Sequence, residues 1–183
     1  MESNLQDLYN QAKNHKDNHK SCGGEPYKSF EKLYEIVNQF KTEIKILEVG
    51  TAVGFTTFIL QNKINTIDTI ELHQEHIDEA KVNIIGWGGD INKANFLQGD
   101  AKEILPTLHL PGEGYDIIFF DGYGAKLIFY NDFERLHKID GLLITANQHL
   151  KSTEQEYFNE LENSDKWQFI EEFDDTKVYK KLA

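Results

Sequence analysis

The stretch KILEVGTAVGFTT, Lys45 to Thr57, ends an apolar run in a carboxylate and then breaks into two glycines four apart. Gly50 and Gly54 remove Cβ atoms where a strand turns into a helix. Main chain can then approach a ligand, and the helix that starts near Gly54 presents N–H groups and the positive end of its dipole to an anion. Thr56 and Thr57 add hydroxyls. The spacing is G-x-x-x-G, whereas a dinucleotide fingerprint needs G-x-G-x-x-G and a phosphate loop ends in G-K-[ST], so neither pyrophosphate motif is present. A ligand with one carboxylate and one ammonium suits the turn better, with the carboxylate at the helix start and the ammonium near backbone carbonyls and Glu48. A charge at the end of a buried strand is costly unless paired, so Glu48 asks for a cation.

Two further acids stand where strands end. Glu71 closes TIDTIEL, and an acid about twenty residues beyond such a turn accepts from both hydroxyls of a ribose. Asp100, in QGDAKEILP, has two open readings: acceptor for the exocyclic amine of an adenine, or N-cap of a helix from Ala101 to Leu108. Together with the glycine turn, these acids describe a nucleoside that carries an amino acid.

To bring such groups to one edge, the strands must end on the same side of an open sheet. Seven segments have strand character: IKILEV from Ile44, TIDTIEL from Thr66, ANFLQG from Ala94, YDIIFF from Tyr115, GLLITA from Gly141, WQFIEEF from Trp167 and TKVYKKL from Thr176. Between the first five lie helical patterns, such as Phe55, Phe58 and Ile59, or HQEHIDEAKVNII, in which Ile77, Ala80, Val82 and Ile84 are expected to cover the sheet. This alternation predicts an α/β fold, a parallel sheet with helices on both faces. The last two strands are separated only by DDT, Asp174 to Thr176, too short for a crossover, which predicts an antiparallel hairpin at one side.

With 183 residues the chain fits one domain. A formal charge of −12 repels phosphates and argues against coating nucleic acid or an anionic membrane. One cysteine, Cys22, allows no internal disulfide, and the polar N-terminus lacks the apolar core of a signal peptide. No apolar run approaches the length that spans a bilayer. The expectation is a soluble, cytoplasmic chain.

The segments LEVGTAVGFTT, IELHQEHIDEAKVNI, QGDAKEILPTL, YDIIFFDG and DGLLITAN resemble, in order, the successive motifs of the class I S-adenosylmethionine-dependent methyltransferases. The set is most similar to the O-methyltransferase group that includes catechol and caffeoyl-CoA O-methyltransferases and their bacterial relatives, and it runs from about Phe30 to Asn147. The resemblance implies a Rossmann-like fold with a seven-stranded, mostly parallel sheet and an antiparallel C-terminal hairpin. We assign the methyltransferase domain to residues 26–183 and a polar helical extension to residues 1–25. Carried over by position, the resemblance gives the methionine part of the cofactor to Glu48, Gly50, Ala52, Gly54 and Thr56, the ribose to Glu71, and the adenine edge to Asp100 and Ala101. Leu72 either packs on the adenine face or belongs to the core.

Methyl transfer from a sulfonium is a direct displacement, so positioning supplies much of the rate, and a hydroxyl nucleophile must lose its proton to a base or a bound cation. The resemblance implies Asp121, in FFDGYGAK, at the cofactor and in catalysis, together with a nearby lysine. The family pattern D-x-x-K is stretched here to Lys126, which is the candidate base, the alternative being a surface lysine. Where relatives carry Asp-Asn after the fifth strand, this chain has Ala146-Asn147. A magnesium ion thereby loses a carboxylate, leaving Asp121 and Asn147 as metal candidates and His149 as a substitute better suited to zinc-like ions. The site-covering segment of many relatives is reduced to one helix, and Tyr9, Cys22 and Tyr27 either line an entrance or pack in the core. The expected partner is a small hydroxylated acceptor, with a homodimer as a candidate assembly. Rival readings are a cofactor-binding protein that has lost catalysis, a tRNA-modifying enzyme with Lys13, Lys16 and Lys20 as its basic patch, and an aminopropyltransferase, which the methionine-binding turn disfavours.

Overall fold

The computed structural model describes residues 2–18, 26–61, 66–109, 114–122, 126–146 and 151–183. The chain enters through α1 (Glu2–Asn18) and α2 (Phe30–Gln39). It then alternates through β1 (Lys45–Val49), α3 (Phe55–Leu60), β2 (Thr66–Glu71), α4 (Gln74–Gly86), β3 (Ala94–Gln98), α5 (Ala101–Ile104), β4 (Tyr115–Phe120), α6 (Tyr130–Leu136) and β5 (His137–Thr145). α7 (Lys151–Asn163) leads into β6 (Trp167–Phe173) and β7 (Thr176–Lys181).

One seven-stranded sheet results, in the order β3-β2-β1-β4-β5-β7-β6. The first five strands are parallel; β7 runs antiparallel to both β5 and β6. β1 pairs with β2 on one side and β4 on the other, so the strand order reverses there and a crevice opens beyond its carboxyl end. All six residues of β4 are buried, as a strand covered on both faces requires. Its side chains alternate: Ile117 and Phe119 join the core beneath α1, α2 and α3, while Ile118 and Phe120 join the one beneath α6 and α7. Glu48 shares a face with Ile46, two residues before it, and so lies under α3.

Of four local details, those in α4 and β5 depart from the sequence expectations. α1 is polar overall, yet Leu5, Leu8 and Ala12 form a stripe buried in the same core as α2, so this segment packs on the domain. In α4, Ile77, Ala80 and Ile84 are buried but Val82 is 69% exposed, because it projects on the opposite side of the helix. β5 begins at His137 rather than Gly141, since Tyr115 pairs with His137 before the register shifts. The C-terminal hairpin turns on Asp174 and Asp175 alone, with Asp174 at φ 50° and Thr176 already in β7.

Aromatic rings fix the start of α3. Phe55 meets Tyr9 at 5.7 Å, Phe30 at 5.5 Å and Trp87 at 5.9 Å between centroids, all edge-on. Pairs of this kind contribute about 0.5–1.5 kcal/mol each beyond their burial. The turn before α3 therefore rests on a rigid base.

Candidate functional site

The turn between β1 and α3 is held in an unusual backbone conformation, with φ of 105° at Gly50, 44° at Ala52 and 85° at Gly54. Both glycines lie against neighbouring protein. A Cβ on Gly50 would lie 3.2 Å from the Asp121 carbonyl group, and one on Gly54 would lie 2.8 Å from the Ala80 Cβ. They admit neighbouring protein, the end of β4 and the face of α4, so the turn is pressed close to both. Its amides are also engaged: Gly50 N donates to Ile70 O at 3.0 Å, Ala52 N to Glu71 Oε2 at 3.0 Å, and Gly54 N to Thr51 O at 2.9 Å. From α4, Asn83 Nδ2 donates to Val53 O at 3.0 Å.

Beneath the turn lies Glu48, with no solvent exposure. Its Oε2 accepts from Thr57 Oγ1 at 2.5 Å and Thr69 Oγ1 at 2.6 Å, and Thr51 Oγ1 is 2.5 Å from Thr69 Oγ1. Because Thr69 donates to the carboxyl, Thr51 donates to Thr69, and a chain of hydroxyls ties the turn to the sheet. Thr57 thus faces inward, contrary to its reading as a ligand donor, while Thr56 is buried in the first turn of α3. Among the described residues Oε1 meets no hydrogen-bond partner. Burial pushes the carboxyl up to about 8, with the charges of Asp121 and Glu71 adding to the effect and the two threonine bonds opposing it.

Glu71 ends β2 one strand away and is also buried. Both of its oxygens are engaged: Oε2 by Ala52 N, and Oε1 by His73 N and His76 Nδ1, each at 3.1 Å. Beside it Leu72 is 52% exposed, which removes the core alternative and leaves an apolar side chain open next to the carboxylate. Across from β2, Gly99 N donates to Glu71 O at 2.9 Å, bringing Asp100 to the same edge. Asp100 Oδ1 accepts from Lys102 N at 2.9 Å, so it does cap α5, and Ala101 follows half-buried. The helix it caps ends at Ile104 and passes into a 3-10 turn, Leu105–Thr107, where Pro106 falls.

At the ends of the next strands, Asp121 N donates to Val49 O at 3.0 Å and Ala146 N to Phe120 O at 2.9 Å, so the two residues stand on adjoining strands. Asp121 is half-buried; Ala146 is 2% exposed, its methyl part of the core that contains Tyr27. Lys126 opens a 3-10 turn, Lys126–Phe129. Asn147, His149 and Cys22 lie outside the described residues. Among the described residues no group of three or more His, Cys, Asp or Glu is arranged to hold a metal ion. Tyr9 stacks on Phe30 at 5.0 Å, and Tyr27 packs edge-on to Phe119 at 5.1 Å with its hydroxyl 2.7 Å from Thr176 Oγ1, so both belong to the core.

Three residues at this site escape a sequence reading: Thr51, Thr69 and His76. The histidine pair in HQEH follows the acid at a helix start, but nothing in its spacing tells a ligand from a structural ring.

A strand order that reverses at β1, with an antiparallel C-terminal hairpin, is a fold that the chain shares with solved O-methyltransferase structures. No protein-family model matches the chain. Among solved structures, the chain is similar to the O-methyltransferase TomG from Streptomyces achromogenes, involved in tomaymycin synthesis and bound to S-adenosylmethionine. The two are 17% identical over 98% of this chain and 90% of that one, with a TM-score of 0.78. It is similar also to the O-methyltransferase from Bacillus cereus in complex with S-adenosylhomocysteine, at 16% identity, 99% and 91% coverage and a TM-score of 0.76. A third similar structure is the precorrin-8W decarboxylase of Methanobacterium thermoautotrophicum, at 17% identity, 90% and 95% coverage and a TM-score of 0.69. Identities this low carry the fold, and the third protein is named for another reaction, so the chemistry must be argued from residues.

Proposed function

We propose that the protein is an S-adenosylmethionine-dependent O-methyltransferase acting on a small hydroxylated acceptor. The observation that carries this reading is the buried Glu71 carboxylate at the carboxyl end of β2, bonded to the glycine turn through Ala52 N and flanked by the exposed Leu72. A hydroxyl acceptor and an apolar surface for a base thus adjoin the switch point of the sheet, where ligands of open α/β folds bind. The unpartnered oxygen of Glu48 fits the same ligand, because an ammonium brought to the turn favours the charged carboxyl that burial alone disfavours.

In this reading Glu48, Gly50, Ala52, Gly54 and Thr56 hold the methionine part, Glu71 the ribose, Leu72 the adenine face, Asp100 and Ala101 its edge, and Asp121 the methyl end. When bound, S-adenosylmethionine supplies a methyl group on a sulfonium that a nucleophile displaces directly. Lys126 takes the proton of the acceptor hydroxyl, a role that the family resemblance supports. Magnesium has one carboxylate fewer than in relatives, because a core methyl occupies position 146. A charge of −12 and a single cysteine support a cytoplasmic protein, and a homodimer is the assembly to test by sedimentation.

The test is transfer of labelled methyl from S-adenosylmethionine to a panel of catechols and phenols. Lys126→Met is expected to lower turnover about 10²- to 10⁴-fold while S-adenosylhomocysteine affinity stays put, because loss of a general base acts on the transition state. A cofactor-binding protein without catalysis is the other outcome of this test. Tight binding with no transfer to any acceptor would select it.

A further inference from the structure

The Glu71 carboxylate is gripped from three segments of the chain. Ala52 N belongs to the turn after β1, His73 N to the turn after β2, and His76 Nδ1 to the first turn of α4. Two of these donors are main chain and follow from the path of the backbone. The third is a side chain that the chain could have replaced by any buried apolar residue without changing that path. Instead a 5%-exposed histidine lies with Nδ1 3.1 Å from Oε1. Facing a carboxylate oxygen that only accepts, Nδ1 is the donor, which fixes the tautomer of the neutral ring. The ring itself is flanked by the His73 ring, edge-on at 5.0 Å between centroids, while the His76 main chain is tied to His73 O at 3.1 Å.

We propose that His76 is a positioning residue of the nucleoside site, orienting the Glu71 carboxylate so that an oxygen is presented to a ribose hydroxyl before the ligand arrives. The inference rests on the assignment of Glu71 to the ribose. Glutamate has three side-chain torsions, and a carboxylate anchored in advance gives up that freedom on folding rather than on binding. The pattern of bonds says which oxygen is presented. A carboxylate has about four lone-pair positions. Oε1 has two donors and Oε2 has one, so the open position is on Oε2. His76 thus loads the oxygen turned toward α4 and leaves the one beside the glycine turn to the ligand.

The experiment is calorimetric titration of the full chain with S-adenosylhomocysteine, for the parent, His76→Phe, His76→Leu, His76→Asn, Glu71→Ala and the double variant Glu71→Ala/His76→Phe. Phe keeps a ring and removes the donor; Asn places an amide N–H near the position of Nδ1. Phe and Leu are expected to weaken binding about 3- to 30-fold, less than the full loss of a hydrogen bond to a charged group because the effect reaches the ligand only through the carboxylate, and Asn to stay within about threefold of the parent. In the Glu71→Ala background the Phe change is expected to do nothing more, because its effect travels through the carboxylate. Parent-like binding by Phe and Leu, or an equal loss with and without Glu71, overturns the proposal, the second outcome making His76 a packing residue. If Phe does not fold, Leu against Asn decides on the same terms. A parent that does not bind the ligand at all ends the cofactor reading and this inference with it, whereas a parent that binds while His76→Phe binds equally ends only this one.

Discussion

Glu48 has no solvent exposure, two threonine hydroxyls on one oxygen and, among the described residues, no hydrogen-bond partner on the other. Its folded carboxyl is pushed up from 4.5 to about 8 by burial, so between those values the unfolded chain sheds a proton that the folded chain keeps. Stability from this group is intact below pH 4.5 and is lost as pH rises toward 8. Glu48→Gln keeps the shape and one acceptor without the charge. The variant is expected to match the parent near pH 5 and to exceed it by about 2–4 kcal/mol at pH 7.5 in urea unfolding, while binding S-adenosylhomocysteine more weakly. A parent as stable as the variant at pH 7.5 would show that Glu48 is ionised in the free chain. The two acids were legible in the sequence because a charge at the end of an apolar strand is conspicuous. Their partners were not: Thr69 is 21 residues from Glu48, and Ala52 is 19 from Glu71. Only the parallel pairing of β1 with β2 brings them together.

At the scale of elements, the alternation of apolar strands with helical stretches carried the sheet, since a short, mostly apolar run such as YDIIFF, flanked by helical patterns, suits a strand covered on both faces. What failed were positions decided by which side of an element meets the core. Val82 is apolar but points away from the sheet, and the polar HKID extends β5 because β4 needs a partner at Tyr115. The glycine turn adds a packing constraint that its motif does not show. A Cβ at Gly54 meets the Ala80 Cβ at 2.8 Å and its Cα at 3.0 Å, whereas at Gly88, with the same φ of 85°, it meets nothing within 4 Å. Both substitutions to alanine bear the left-handed backbone strain, and only the first adds a clash between α3 and α4. Gly88→Ala is expected to cost about 1–2 kcal/mol in urea unfolding and Gly54→Ala about 2–5 kcal/mol. Equal losses at both positions would mean that α4 moves aside freely.

For the molecule as a whole, a second buried group opposes Glu48. His137 is 2% exposed, and burial lowers its imidazole from 6.5 to about 4, against the opposing backbone bonds, one of them to Phe133 O at 2.8 Å. As pH falls below 6.5 the unfolded chain takes up a proton that the folded chain refuses, so stability present above 6.5 is lost down to about 4. The loss is on the order of 3 kcal/mol, and His137→Asn, which retains a donor for Phe133 O, is expected to remove that part of the acid slope. An unchanged slope would move the acid sensitivity to other groups. The ligand-free protein is therefore held between a histidine that resists acid and a glutamate that resists base, and the glutamate belongs to the site. The central claim is that the glycine turn and Glu71 together form the seat of an adenosyl ligand. Calorimetric titration with S-adenosylhomocysteine tests it most directly: the parent is expected to bind at micromolar strength, as a pre-formed turn and a ligand of this size permit, and Glu71→Ala to bind more weakly by about 1.5–3 kcal/mol. A Glu71→Ala variant that binds as tightly as the parent, or a folded parent that does not bind, would contradict the account.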